Sequence, residues 1–141
     1  MLKEYKKICI DTSPLIYYFD RDSQYNNLMI SAFNDIISNN IELVTSVINV
    51  GEFKILPARQ NNNSLLNQFD DFIDKMDFRV NNIDMPVINE VINIRKEHGD
   101  FKMIDAIVLA TAKLYGCDAI LTNDRQLRQY KDVKVLLVSE L

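Results

Sequence analysis

The chain has 141 residues, 48% of them hydrophobic, and a formal net charge of −4. That length and apolar content suffice for one core without staples, and the acidic balance excludes a protein that coats nucleic acid through many Lys and Arg contacts. No apolar run approaches the roughly 20 residues that cross a bilayer and residues 1–7 lack the apolar stretch of a secretory signal, so a single cytoplasmic domain over residues 1–141, away from membranes, is expected.

The run Ile8-Cys9-Ile10 is short and wholly apolar, as in a strand covered on both faces. Ser13-Pro14 after it supplies a cap and a first helical residue, so the strand feeds directly into a helix. Tyr25, Leu28, Met29, Ala32, Phe33, Ile36 and Ile37 recur at three and four and predict an amphipathic helix that ends near Ser38-Asn39-Asn40. A second strand is expected over Ile41 to Thr45. Ser46 then caps a helix from Val47 to Leu56, which Pro57 is expected to stop.

Gln60 to Ser64 reads as a loop, and Leu65, Leu66, Phe69, Phe72, Ile73 and Met76 give the next helical stripe. Phe78 to Val80 suits a short third strand. Asp84 and Pro86 open a helix through Ile94 that Gly99 would close in a left-handed conformation. Another helix runs from near Met103 to Gly116. Ala119 to Leu121 and Val135 to Val138 are the last strands, with a short helix near Arg125 to Tyr130 between them. Cys9 and Cys117 lie in or beside apolar runs, and two buried free thiols are expected.

Alternating strands and helices predict an α/β fold, a three-layer α/β/α sandwich with a central, mostly parallel sheet of about five strands, because parallel neighbours need crossovers that cover both faces. Ligands in such sheets bind beyond the carboxyl ends of the strands. Asp11 directly follows the first strand and Asp124 follows Ala119 to Thr122. Ser13, standing before Pro14, is the better-placed cap, which leaves Asp11 free for other work. Glu52 shares a helix face with Ile48, Ile55 and Leu56, whereas Asn49 takes the solvent side. Asp105 falls in the first turn of its helix, where the dipole favours negative charge.

Gathered in one crevice, the carboxylates of Asp11, Glu52, Asp105 and Asp124 would repel one another unless they took up protons or held a cation. All-oxygen ligation suits Mg²⁺ or Mn²⁺. Such an ion lowers the pKa of a retained water and stabilises the charge that develops when a phosphodiester is attacked. His98 is the only histidine, at a helix end with no nucleophile beside it, and neither Gly-rich phosphate-binding motif occurs; triad catalysis and nucleotide cradling are thereby unsupported.

Four segments carry a resemblance that covers nearly the whole chain: Ile8-Cys9-Ile10-Asp11-Thr12-Ser13-Pro14-Leu15-Ile16, Thr45-Ser46-Val47-Ile48-Asn49-Val50-Gly51-Glu52-Phe53, Asp105-Ala106-Ile107-Val108-Leu109-Ala110-Thr111-Ala112, and Leu121-Thr122-Asn123-Asp124-Arg125. Together they resemble the PIN-domain nucleases, most closely the VapC-type toxins of toxin-antitoxin pairs. The resemblance implies an RNA substrate, Mg²⁺ or Mn²⁺ as cofactor, a homodimer and a cognate antitoxin that blocks the site. It makes Asp11 and Asp105 the principal metal ligands, with Glu52 and Asp124 completing the cluster and orienting metal-bound water. Thr12, Ser13, Thr122 and Asn123 match flanking polar positions that would orient the carboxylates.

Three rivals remain beside it. A haloacid-dehalogenase-like phosphatase also places an Asp after the first strand, but it resembles Asp-x-Asp there and Asp11-Thr12-Ser13 lacks the second acid. The others are a non-cleaving RNA- or protein-binding module of the same fold and a general RNA-processing nuclease without an antitoxin.

Overall fold

The computed structural model describes all 141 residues. In chain order the elements are β1 (Lys7–Ile10), α1 (Thr12–Phe19), α2 (Asn26–Ser38), β2 (Glu42–Ser46), α3 (Val47–Arg59), α4 (Asn63–Lys75), β3 (Arg79–Asn81), α5 (Met85–Glu97), α6 (Met103–Leu114), β4 (Ala119–Thr122) and β5 (Lys134–Leu137). A 3-10 turn over Arg125–Gln129 links β4 to β5, and a second closes the chain at Val138–Glu140. No helix is long and apolar enough to cross a membrane.

All five strands are parallel, in the order β3-β2-β1-β4-β5. The chain builds outward from β1 to one side, then crosses over α5 and α6 to build outward on the other, so β1 and β4 flank the point where the winding reverses. Cys9 pairs with Val44 on one side and Ile120 on the other. Period-two alternation along the strands divides their side chains between two cores. Cys9, Val44 and Ile120 face Val87, Val91 and Ile94 of α5 and the buried side of α6. Ile8, Ile10, Leu43 and Leu121 face Leu15, Met29, Phe33, Phe53 and Phe69 of the first four helices. The sheet is thus the middle layer of the predicted α/β/α sandwich, and both thiols are free and buried.

Several local expectations need correction. Helix α3 passes through Pro57 to Arg59, with Pro57 buried, and its burial offsets the one backbone bond that proline cannot make. Helix α5 ends at Glu97 with His98 as its cap, its N–H bonded to Ile94 O at 2.8 Å. Gly99 has no left-handed backbone, and the glycine that does is Gly116, at φ 67° after α6. Asn40, Asn61 and Asp77 also have positive φ, near the ends of α2, α3 and α4; short polar side chains tolerate that conformation better than most.

Candidate functional site

The carboxyl ends of β1 and β4, helices α1 and α3 and the first turn of α6 surround a cavity of about 370 Å³ lined by Asp11, Thr12, Ser13, Ile16, Tyr17, Glu52, Ile104, Asp105, Asn123 and Asp124. All four predicted acids therefore open onto one space. Asp11 comes from the end of β1, Glu52 from α3, Asp105 from the first turn of α6 and Asp124 from the exit of β4. None of the four pairs with a Lys, Arg or His of the protein.

Asp11 is held on three sides. Its Oδ1 accepts from Thr12 N at 2.8 Å and from Asn49 Nδ2 at 3.1 Å, and its Oδ2 accepts from Thr122 Oγ1 at 2.7 Å. The first of these makes Asp11 the N-cap of α1. The sequence assigned that role to Ser13, whose hydroxyl instead accepts from Asn123 N at 3.1 Å and so ties α1 to the β4 exit. Asp11 is thus both cap and cavity wall. Asp124 likewise caps the following 3-10 turn, its Oδ1 accepting from Gln126 N at 3.0 Å.

Asn49 was expected on the solvent side of its helix, yet it is 0% exposed. Its Oδ1 accepts from Ser46 N at 3.2 Å, and its Nδ2 donates to Asp11 Oδ1 and, at 2.9 Å, to Thr12 Oγ1. Thr12 passes the order on, donating to Glu52 Oε1 at 2.7 Å. One buried amide therefore connects two acids from different elements. The helix face was misassigned because Ile55 and Leu56, read as core, are 52% and 60% exposed. Ser46 to Asn49 does have the spacing of a capping box, and that was the legible signal.

Of the four flanking polar residues, Thr12 and Thr122 bond carboxylates directly. Thr122 Oγ1 also accepts from Asp124 N at 3.1 Å, so a single hydroxyl spans Asp11 and the Asp124 backbone. Asn123 touches no carboxylate. Its Nδ2 donates to the Tyr17 hydroxyl at 3.2 Å, and its Oδ1 accepts from Ser139 N at 3.2 Å.

Burial pushes the Asp11 carboxyl above the ordinary carboxylate range, and the charges of Glu52 and Asp124 push it further against the opposing hydrogen bonds. Asp105 is raised by burial first and then by Asp124 and Asp11, while the Lys102 N–H and ammonium pull it down. The acids thus feel one another electrostatically. They nevertheless form no cage, because no three His, Cys, Asp or Glu side chains converge as ready-made ligands. An all-oxygen donor set without a ready-made cage suits a hard divalent ion that takes one or two carboxylates and keeps several waters, rather than an ion wrapped wholly by protein.

The model of the PIN domain family matches residues 8–133. No curated protein matches the chain significantly. Among solved structures, FitAcB from Neisseria gonorrhoeae is similar at 23% identity and TM-score 0.78, covering 95% of this chain and 99% of that one. A toxin-antitoxin complex from Klebsiella pneumoniae is similar at 20% identity and TM-score 0.65, with 90% and 98% covered. VapC20 of Mycobacterium tuberculosis, a sarcin-ricin loop cleaving toxin, is similar at 14% identity and TM-score 0.68, with 90% and 98% covered. At these identities the likeness is one of fold.

Proposed function

Because the chain belongs to the PIN-domain family, we propose that it is a metal-dependent endoribonuclease which hydrolyses RNA phosphodiester bonds at the cavity beneath Asp11, Glu52, Asp105 and Asp124. The observation that carries this reading is the set of four acids from four elements, opening on one cavity with no protein cation paired to any of them. Uncompensated carboxylates at that density favour a bound cation.

Asp11 and Asp105 would hold Mg²⁺ or Mn²⁺, with Asp124 close enough to raise Asp105. When bound, the ion supplies a water of lowered pKa and positive charge opposite the phosphate oxygens. Asp11 is pre-oriented by three donors, so its carboxylate does not have to reorganise when the substrate arrives. Glu52 gives Oε1 to the Thr12 hydroxyl, which leaves Oε2 with no protein partner and able to orient, or take a proton from, a water in the cavity.

In this reading the protein is the toxin of a toxin-antitoxin pair, acting in the cytoplasm as a homodimer of single-domain chains. The similar folds described as a toxin and as a toxin-antitoxin complex support it. So do the exposed Ile55 and Leu56 beside Glu52 on α3, an apolar surface that a partner chain would cover.

The test is cleavage of RNA by the purified protein with Mg²⁺, Mn²⁺ or EDTA, beside Asp11→Asn and Asp105→Asn. Cutting should require the ion and vanish in both variants. Equal cutting by wild type and Asp11→Asn would remove the catalytic assignment, and RNA binding without cutting in every condition would favour a non-cleaving module.

A further inference from the structure

The carboxylates occupy only part of the cavity wall. Its other lip is Tyr17 and Ile16 from α1 with Ile104 from α6, and the two isoleucines are 43% and 38% exposed. An ion and a phosphate have no use for an apolar rim. Tyr17 is also the one aromatic residue lining this space.

Tyr17 is held at its hydroxyl, its ring and its backbone. Its hydroxyl accepts from Asn123, which is itself tied to the Ser139 N–H. Its ring leans on Tyr25, with centroids 4.9 Å apart and planes 45° from parallel. Its carbonyl and that of Tyr18 both accept from Asn26 Nδ2, at 3.0 and 2.8 Å, which pins the end of α1 to the start of α2. A phenol immobilised in this way has already lost the rotamer freedom that ligand binding would otherwise cost.

From this geometry we infer that Tyr17, flanked by Ile16 and Ile104, is the subsite for the nucleobase next to the scissile phosphate, and that the base must be unpaired to reach it. The inference rests on the nuclease reading above and adds the part of the substrate that is recognised. The ion engages only the scissile phosphate, and a chain of net charge −4 offers the rest of the backbone little general attraction, so binding has to draw on contacts that carry no charge. Stacking on an aromatic face is such a contact, and it tolerates sequence because every base has a π-face. A base held within a helical stack presents only its edge and cannot lie against the ring. Asn123 sets the ring's position through the hydroxyl and is a positioning residue rather than a catalytic one.

The experiment scans a single abasic position along a single-stranded oligoribonucleotide and along the same sequence closed into a hairpin stem. Cleavage constants are measured with wild type, Tyr17→Ala and Tyr17→Phe in Mn²⁺, and affinities by fluorescence anisotropy in an Asp11→Asn background. Tyr17→Ala should raise KM about tenfold with kcat little changed, and Tyr17→Phe should stay within about threefold of wild type. An abasic position beside the cut should weaken binding to the protein with Tyr17 and add no further loss to Tyr17→Ala, because the two changes delete the same contact. The stem should be a poor substrate.

Cleavage indifferent to Tyr17, or an abasic penalty equal in both proteins, overturns the base subsite and leaves the nuclease standing. Tyr17-dependent binding of unpaired RNA that is never cut keeps the subsite and overturns the nuclease. RNA that is neither bound nor cut overturns both.

Discussion

The side-chain amide of Asn49 reaches Asp11 Oδ1 at 3.1 Å and Thr12 Oγ1 at 2.9 Å, so a residue with no exposure sets the position of a carboxylate that the cavity needs. Removing it should affect stability and chemistry by different amounts. Asn49→Ala leaves the Ser46 N–H without its acceptor and should cost about 1–3 kcal/mol in urea unfolding. Metal-dependent cleavage should fall about 10–100-fold at temperatures where the variant is fully folded. Full activity in a folded Asn49→Ala protein would show that Asp11 needs no help from α3.

On the proposed assignment, divalent ions should stabilise the wild type far more than Asp11→Asn or Asp105→Asn. At 100 times its Kd, an ion that binds only the folded state adds about 2.7 kcal/mol, a rise of several degrees in the unfolding midpoint for a domain of this size. Mn²⁺ titrated into wild type should produce that rise, EDTA should reverse it, and Asp11→Asn and Asp105→Asn should show little of it. An equal rise in all three proteins would place the ion elsewhere.

Asp118 accepts from the backbone N–H groups of Lys6 and Lys7 at 2.7 and 3.0 Å, which joins the start of β1 to the residue before β4. These two bonds hold its carboxyl below the ordinary range, with smaller help from the charges of Lys6 and Lys7. A depressed folded pKa means the contribution is present above the unfolded value of about 4 and is lost as pH falls through the folded one. The thermal midpoint of wild type should therefore drop on acidification through that window more steeply than that of Asp118→Asn. The group is exposed, so solvent keeps the difference small. Parallel pH profiles would refute the linkage.

Phe69 is the one buried residue of α4, stacked on Phe53 of α3 with ring centroids 4.1 Å apart. Phe69→Ala should cost about 3–5 kcal/mol, the range for emptying a filled aromatic site, and should release α4 first. Hydrogen exchange would show this as lost protection across residues 63–75 with the sheet still protected.

The architecture was legible because short apolar runs and 3.6-residue stripes reflect burial directly, and burial is what the sandwich is made of. Asp11, Asp105 and Asp124 were legible for a related reason, since a strand end or the first turn of a helix delivers each to the same edge of the sheet, whereas Glu52 sits in the middle of α3 and was singled out from a misassigned face. Asn49 was hidden because its helix has neighbours on more than one side and displays Ile55 and Leu56 outward, so apolarity did not mark the inner face. Asp11 was denied its capping role because Ser13-Pro14 offered a plausible alternative two residues too late. Gly99 and Pro57 misled in the same way, as local preferences that packing overrode. Tyr17 left no trace, because an aromatic near the end of an amphipathic helix reads as core until its hydroxyl is seen bonded to Asn123.

The central strand β1 lies between β2 and β4, and more than a hundred residues separate it from β4 along the chain. Thr122 and Asp124 are thus made long after the strand they complete. A polypeptide still attached to the ribosome has Asp11 and Glu52 early, but it has neither the hydroxyl that clamps Asp11 nor the fourth carboxylate. The four-acid cavity is thereby completed only when β4 takes its place beside β1.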